Sequence, residues 1–269
     1  MANGLLEGKT GIITGALDDK SIAWRTALKI KEQGGRFILT NAPVALRMGE
    51  IKELAEETGA ELIPADATNL EDIGKLFDAA EAQFGKIDFF LHSIGMSPNV
   101  RKGKDYTGLN YDWLHKTYDI SAMSFHKMLQ VAYERKAFND WGSVVALTYI
   151  AAQRIFPKYN DMTEAKALLE SIARNFGYYL GVQSKVRVNT ISQSPTATTA
   201  GSGVGGFDKM LNFAEDMSPL GNASADECAD YIITLFSDLT RKVTMQNLFH
   251  DGGFSNMGVS QAVLDNYGN

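Results

Sequence analysis

Two tyrosines and a lysine stand close together in residues 148–166: Tyr149, Tyr159 and, seven positions after the second tyrosine, Lys166. A phenol can donate a proton to an oxyanion that develops during a reaction, and a nearby ammonium helps by stabilising the phenolate left behind. Such a trio could do general-acid chemistry at a carbonyl oxygen. The plainer reading of the same residues is structural, with both tyrosines as half-buried packing groups and Lys166 on a solvated helix face. The choice between the two depends on where the flanking elements put these side chains.

The apolar run 143–147 has the composition of a buried strand, and residues 161–179 have that of a helix. A strand that ends in a tyrosine-bearing loop and then enters a helix is where open α/β sheets keep their chemistry. The same unit recurs earlier. Residues 9–14 predict a strand that runs into Gly15, followed by a helix with Ile22, Ala23, Ala27, Leu28 and Ile30 on one face. Strand, glycine turn and helix is the layout that sets a pyrophosphate over helix N-terminal amides. The three-glycine form is absent, because Ser21 stands six residues after Gly15. Alone, this turn would equally suit an ordinary connection.

Support comes from repetition. Strands are predicted at 36–40, 61–65 and 87–93, with a helix at 44–58. The third strand ends in Asp66-Ala67, and Asn69 is placed to cap the next helix with Asp72 as its partner. That leaves Asp66 free to accept a hydrogen bond, for instance from an adenine amino group; otherwise it is a loop carboxylate in water. The fourth strand ends at Ser93-Ile94-Gly95, where glycine lets backbone approach a ligand closely. Further strands are predicted at 185–192 and 245–250, and helices at 208–217 and 225–235. The whole predicts a single α/β domain over 1–269: one doubly wound parallel sheet, Rossmann-like, flanked by helices.

Between the sixth strand and the next helix, residues 196–206 hold four glycines within six positions. Such a stretch is costly to hold in one conformation. Because it follows a strand's carboxyl end, a lid over the site (about 196–217) is expected rather than a plain linker. After the second strand, an acidic residue would bind a ribose 2′-hydroxyl and an arginine a 2′-phosphate. Thr40-Asn41-Ala42-Pro43 offers neither, and the nearest base is Arg47. NAD is therefore the expected cofactor, with Arg47 as the residue that could admit the phosphate.

Composition excludes several classes. Hydrophobic content of 45% and charged content of 22% describe a globular protein, and a net charge of −6 without a dense basic stretch argues against nucleic acid. Residues 1–9 lack a signal-peptide apolar region, and no window approaches the roughly 18 apolar residues of a membrane span. Cys228 is the single cysteine, so no intrachain disulfide forms. A cytoplasmic protein is expected. His92, His115, His126 and His250 include no pair at metal-ligand spacing, and no metal is expected. His92 and His250 are read as packed at strand ends.

Taken together, Gly15-x5-Ser21-Ile-Ala, His92-Ser-Ile-Gly95, Tyr149, Tyr159-x6-Lys166, Arg187-Val-Asn-Thr-Ile-Ser192 and Asp251-Gly-Gly-Phe254 resemble the bacterial enoyl-acyl-carrier-protein reductases of type II fatty-acid synthesis. These are divergent short-chain dehydrogenase/reductases, and the resemblance covers nearly the whole chain. It implies NADH-dependent reduction of the 2,3 double bond of a trans-2-enoyl thioester. It implies that Tyr159 bonds the thioester oxygen and stabilises the enolate, that Lys166 binds the nicotinamide ribose, and that Tyr149 is the second active-site tyrosine, as relay or as wall. It places Gly15, Ser21 and Ile22 at the pyrophosphate, Asp66 and Ala67 at the adenine, and Ser93, Ile94 and Gly95 along the cofactor. Thr196, Ala197, Thr198, Thr199 and Ala200 would meet the cofactor from the lid, and Ser97 would contact the acyl group. A homotetramer and an acidic partner, acyl-carrier protein, are also implied. Arg101, Lys102, Lys104 and Lys209 are expected to rim the portal through which the acyl arm enters; the alternative is a solvated loop cluster with no partner.

Two departures stand out: Ala42 where some NADH-dependent members have a polar side chain, and Gln193-Ser194-Pro195 in place of a smaller Ala-Gly-Pro. Ordinary superfamily members have lysine four residues after the tyrosine; here those positions are Thr163 and Gln153. The wider spacing has a physical sense. In an enoyl thioester the hydride goes to C3 while charge develops on the C1 oxygen, so the acid must lie farther from the nicotinamide. Seven helical residues rise about 10.5 Å against about 6 Å for four. A ketone or hydroxyl reductase of the same superfamily, and a non-catalytic dinucleotide sensor, are the alternatives; the spacing opposes the first and the retained Tyr–Lys pair the second.

Overall fold

The computed structural model describes residues 4–48, 50–199, 201 and 206–267. Among them, seven strands form one parallel sheet: β1 (Thr10–Thr14), β2 (Arg36–Asn41), β3 (Glu61–Pro64), β4 (Ile87–His92), β5 (Phe138–Thr148), β6 (Arg187–Gln193) and β7 (Asn247–His250). Their order is β3-β2-β1-β4-β5-β6-β7. The chain starts at the centre, winds outward to β3, then returns beside β1 and winds the other way. The switch point between β1 and β4 opens a crevice at the strands' carboxyl ends, where such sheets hold their ligands.

The helices are α1 (Ile22–Glu32), α2 (Ala45–Met48), α3 (Ile51–Thr58), α4 (Leu70–Phe84), α5 (Pro98–Arg101), α6 (Tyr111–Tyr118), α7 (Ser124–Glu134), α8 (Met162–Ser184), α9 (Phe207–Met217), α10 (Ala225–Phe236) and α11 (Gln261–Asp265). A π-helical turn, Asp119–Met123, joins α6 to α7. Strand side chains alternate between two cores. Ile12, Ile38, Phe90, Val144 and Val188 pack under α4, α7 and α8. Ile13, Leu39, Phe89, Leu91, Val145 and Ile191 pack under α1, α3 and α10, where Phe89 stacks on Phe236 at 4.9 Å. Burial on both faces explains why these strands read as continuous apolar runs. Each fully buried Leu, Ile or Phe contributes about 1.5–3 kcal/mol.

Three predicted elements are revised. The helix expected at 44–58 is two helices, and Glu50 at the break donates its N–H to Leu17 O of the glycine turn at 3.1 Å. The helix expected to end at 179 continues to Ser184 and stops at Lys185, whose φ of 55° is left-handed. Gly177 inside it serves close packing, since a Cβ there would meet Met245 Cγ at 2.5 Å. β5 begins at Phe138 rather than 143, and its pairing with β4 shifts register between Ile87 and Phe89. Residues 98–134, for which no element was predicted, contribute α5, α6 and α7.

Candidate active site

The crevice begins at the glycine turn. Gly15 has φ 82°, and a Cβ there would lie 2.0 Å from Ser93 O, so only glycine lets the β1 loop lie against the β4 loop. Thr14 Oγ1 ties the same loops by donating to Leu91 O (3.0 Å) and accepting from Ser93 N (3.2 Å). Ser21 caps α1: its hydroxyl accepts from Trp24 N at 3.3 Å and donates to Asp18 O at 2.8 Å. Ile22 opens the helix behind that cap. Asn41 closes the β2 side by donating to Ala16 O at 2.8 Å and accepting from Ala42 N at 2.8 Å. Arg47 is exposed on α2.

The tyrosines meet beyond the carboxyl end of β5. Tyr149 and Tyr159 pack edge to face with ring centroids 5.3 Å apart, and Phe156 lies 5.0 Å from Tyr149. The packing reading of these residues is thus partly correct, yet it does not exhaust them. Tyr149 turns its hydroxyl to Met210 Sδ of α9 at 3.8 Å, whereas the half-buried Tyr159 makes no hydroxyl hydrogen bond among the described residues. Burial pushes the Tyr159 phenol well above the usual tyrosine range. Burial, then the neighbouring Tyr159 and Asp251, does the same to Tyr149. Both remain proton donors at neutral pH.

Lys166 is buried rather than solvated (7% exposed), and its ammonium donates to Leu147 O at 2.8 Å. Its Nζ lies 3.5 Å from where a Cβ on Gly95 would stand, so β4's end and α8 converge on one spot. Burial lowers its pKa to about 8, opposed by Glu170 one turn on. Glu170 is a residue that sequence reasoning missed. It is buried and accepts from Thr148 Oγ1 (2.9 Å), Asn247 Nδ2 (3.2 Å) and Gln153 Nε2 (3.4 Å), tying α8 to β5 and β7. Its spacing of four from Lys166 on a helix was the available signal. His92 is fully buried and held neutral, its pKa lowered to about 3 by burial and then by Lys166.

Other expected site residues are placed as follows. Asp66 is not free: its Oδ1 accepts from Thr68 N (2.8 Å) and Thr68 Oγ1 (2.7 Å) in a local turn, and Asp72 reaches Asp66 N rather than the cap. Asp66 is exposed, beside the buried Ala67. The Ser97 hydroxyl is engaged within the protein, donating to Asp161 and accepting from Val100 N. Ser93, Ile94 and Gly95 line the crevice next to Gly15 and Lys166. Thr196 Oγ1 donates to Ser194 O and accepts from Gln193 Nε2, Thr198 N donates to Thr196 O, and Thr199 donates to Asp18 in the glycine turn. Ala197 is exposed beside them. Ala200 lies outside the described residues, as does part of the glycine-rich stretch. Gln193 Nε2 also donates to Ala223 O at 3.1 Å, and its Oε1 joins His250 Nδ1 at 2.7 Å, which seats the divergent β6 loop on β7.

An apolar cavity of about 460 Å³ adjoins the tyrosines. Ile150, Phe156, Met210, Phe213, Phe254 and Met257 form its walls, and Arg154 and Lys209 add positive charge. A smaller hollow of about 180 Å³ lies at the opposite end of the sheet, beneath Ile87, and holds no part of this site. Among the described residues no group of three or more His, Cys, Asp or Glu is placed to hold a metal.

Comparison with known proteins yields consistent findings. The family described as "Enoyl-(Acyl carrier protein) reductase" matches residues 15–255. "Enoyl-[acyl-carrier-protein] reductase [NADH] 1" of Rhizobium meliloti (strain 1021) is 36% identical over 260 residues, 96% of this chain and 94% of the relative. "Enoyl-[acyl-carrier-protein] reductase [NADH] FabI" of Rickettsia bellii (strain RML369-C) is 35% identical over 266 residues, 98% of this chain and all of the relative. The crystal structure of the FabI–NADH complex from Alistipes finegoldii superposes with a TM-score of 0.95 at 62% identity, covering 96% of this chain and 92% of that one.

Proposed function

The chain belongs to the enoyl-(acyl carrier protein) reductase family, and from that premise we propose that it uses NADH to reduce the 2,3 double bond of a trans-2-enoyl thioester carried on acyl-carrier protein. This is the last reductive step of fatty-acid elongation. The observation that supports the reading at individual residues is the Tyr149–Tyr159 pair packed against Phe156 of the apolar cavity, with Lys166 buried against Gly95 at the end of β4.

The crevice fits the dinucleotide. Gly15 leaves room where any side chain would strike Ser93, and the capped N-terminus of α1 offers positive potential to a pyrophosphate. Lys166 holds a buried ammonium with one backbone acceptor, which leaves N–H donors for ribose hydroxyls. Bound NADH supplies a hydride to C3 of the enoyl group. The chain's own residues handle the charge that then appears on the thioester oxygen. Tyr159, kept protonated by burial, donates to that oxygen and stabilises the enolate as it forms. Lys166 adds positive charge nearby. Tyr149 walls the site between Tyr159 and α9 and holds its hydroxyl on Met210. The cavity takes the acyl chain, and the segment from Thr196 through α9 acts as its lid.

A homotetramer fits the outer face of α8, where Tyr178, Tyr179 and Val182 are 59%, 54% and 73% exposed. No described helix is long and apolar enough to cross a membrane, and we place the enzyme in the cytoplasm.

The test is NADH absorbance with three additions: crotonyl thioester, acetoacetyl thioester, and neither. Oxidation with crotonyl thioester alone is expected. Faster oxidation with acetoacetyl thioester would assign the site to ketone reduction, and no oxidation with either would leave a dinucleotide sensor.

A further inference from the structure

Tyr159 is held in a backbone that local preferences oppose. Lys158 and Asn160, on either side of it, both have left-handed φ values, 71° and 49°, and neither is glycine. Two such residues flanking one side chain persist only where the surroundings over-determine the conformation, and this happens most often at functional sites.

The restraint comes from the next residues. Asp161 is fully buried, and its carboxylate accepts hydrogen bonds from Ser97 Oγ (2.6 Å), Asn99 Nδ2 (2.8 Å) and Thr117 Oγ1 (2.9 Å). An aspartate at a helix N-cap ordinarily accepts from the first-turn amides of its own helix. Asp161 stands at the N-cap of α8 and makes no such bond. Its carboxylate reaches instead across to the segment after β4 and to α6. Asn160, also buried, donates from Nδ2 to Lys104 O of that same segment. Among the described residues no Lys, Arg or His pairs with Asp161. A buried carboxylate without an ion pair is tolerated only when its oxygens are saturated by donors, and here three neutral side chains converge to do so.

We propose that Asp161 is a positioning residue for Tyr159: its carboxylate, gripped by Ser97, Asn99 and Thr117, locks the left-handed Lys158–Asn160 turn so that the phenol meets the substrate oxygen. The inference rests on the reading of Tyr159 as the acid. It also gives Ser97 a different task from acyl contact, that of holding Asp161.

Asp161→Asn keeps the shape but replaces one acceptor oxygen with an NH2 group. Asn99 Nδ2 and Thr117 Oγ1 both converge on Oδ2, and Ser97 Oγ on Oδ1, so the amide must face at least one donor. The expected result is a fall in kcat of about 10- to 100-fold with an enoyl thioester, the scale of a misplaced reacting group. KM for NADH should stay within about twofold, because the cofactor's own contacts are untouched. The deciding measurement places Asp161→Asn in a Tyr159→Phe background. If Asp161 acts through Tyr159, the substitution then changes kcat by less than about twofold. Thr117→Val, which removes one donor of the three, should show the same pattern with a smaller loss, and it serves if Asp161→Asn does not fold. Equal losses in both backgrounds, or no loss in kcat with Asp161→Asn, overturn the inference and leave the acid assignment standing. Full activity of Tyr159→Phe by itself sinks both.

Discussion

At the scale of single residues, burial separates the roles of groups that a sequence shows only as neighbours. Tyr159 and Tyr149 are both pushed upward in pKa, so neither serves as a base, and their hydroxyls differ in what they face. Tyr159→Phe is expected to lower kcat by about 100- to 1,000-fold, the loss seen when one oxyanion donor is removed, with little change in KM for NADH. Tyr149→Phe should cost less, since among the described residues its hydroxyl bonds only Met210. Steady-state kinetics with an enoyl thioester check both, and the reverse order would move the acid role to Tyr149. Lys166 makes the site pH-dependent. Its pKa is lowered from 10.5 to about 8, so the ammonium is fully present near pH 6.5 and is lost as pH rises through 8. kcat/KM for NADH, which reports the free enzyme, should fall along that limb. A profile flat from pH 7 to pH 9.5 would show that the charge is not needed. Linkage has the opposite sign. The unfolded chain holds more protons than the folded one between about pH 8 and 10.5, so the stability cost of burying this lysine shrinks across that window.

At the scale of elements, the crevice is made from ends rather than middles. α1 meets it through its N-cap, β1 and β4 through loops that only Gly15 lets touch, and α8 through a first turn fastened to another segment. Ser21→Ala removes the cap and its link to Asp18 O. It should cost about 1 kcal/mol of stability and, on the proposed placement of the pyrophosphate over the α1 N-terminus, raise KM for NADH. Thermal unfolding and cofactor titration check the two effects. Loss of stability without weaker NADH binding would make Ser21 a cap alone.

At the scale of the whole molecule, a chain with net charge −6 has no general attraction for an acidic carrier, so a local patch must provide it. Arg154 and Lys209 share the wall of the apolar cavity proposed for the acyl chain, while Arg101, Lys102 and Lys104 lie exposed at the end of α5. A double Arg154→Ala/Lys209→Ala variant is expected to lose about tenfold in kcat/KM with acyl-carrier substrate, less at high salt, and nothing with a small thioester. If instead the Arg101/Lys102/Lys104 triple alanine variant shows that loss, docking is on the α5 side.

The sequence by itself determined the sheet and its order of units, because buried parallel strands and amphipathic helices write their periodicity into local composition. It also singled out Gly15, Ser21, Tyr149, Tyr159 and Lys166 as candidates, since their spacing along β1–α1 and β5–α8 is local. Contacts between distant segments were decided only by the tertiary structure. Nothing in Asp161 alone says that it faces Ser97, Asn99 and Thr117, which lie 44 to 64 residues earlier. Nor does Asp66 reveal that Thr68 occupies one of its oxygens, or Arg154 that it shares a wall with Lys209. Hydrogen bonding and charge act through space, so a site assembled across the sheet's switch point becomes visible only when the chain has closed upon it.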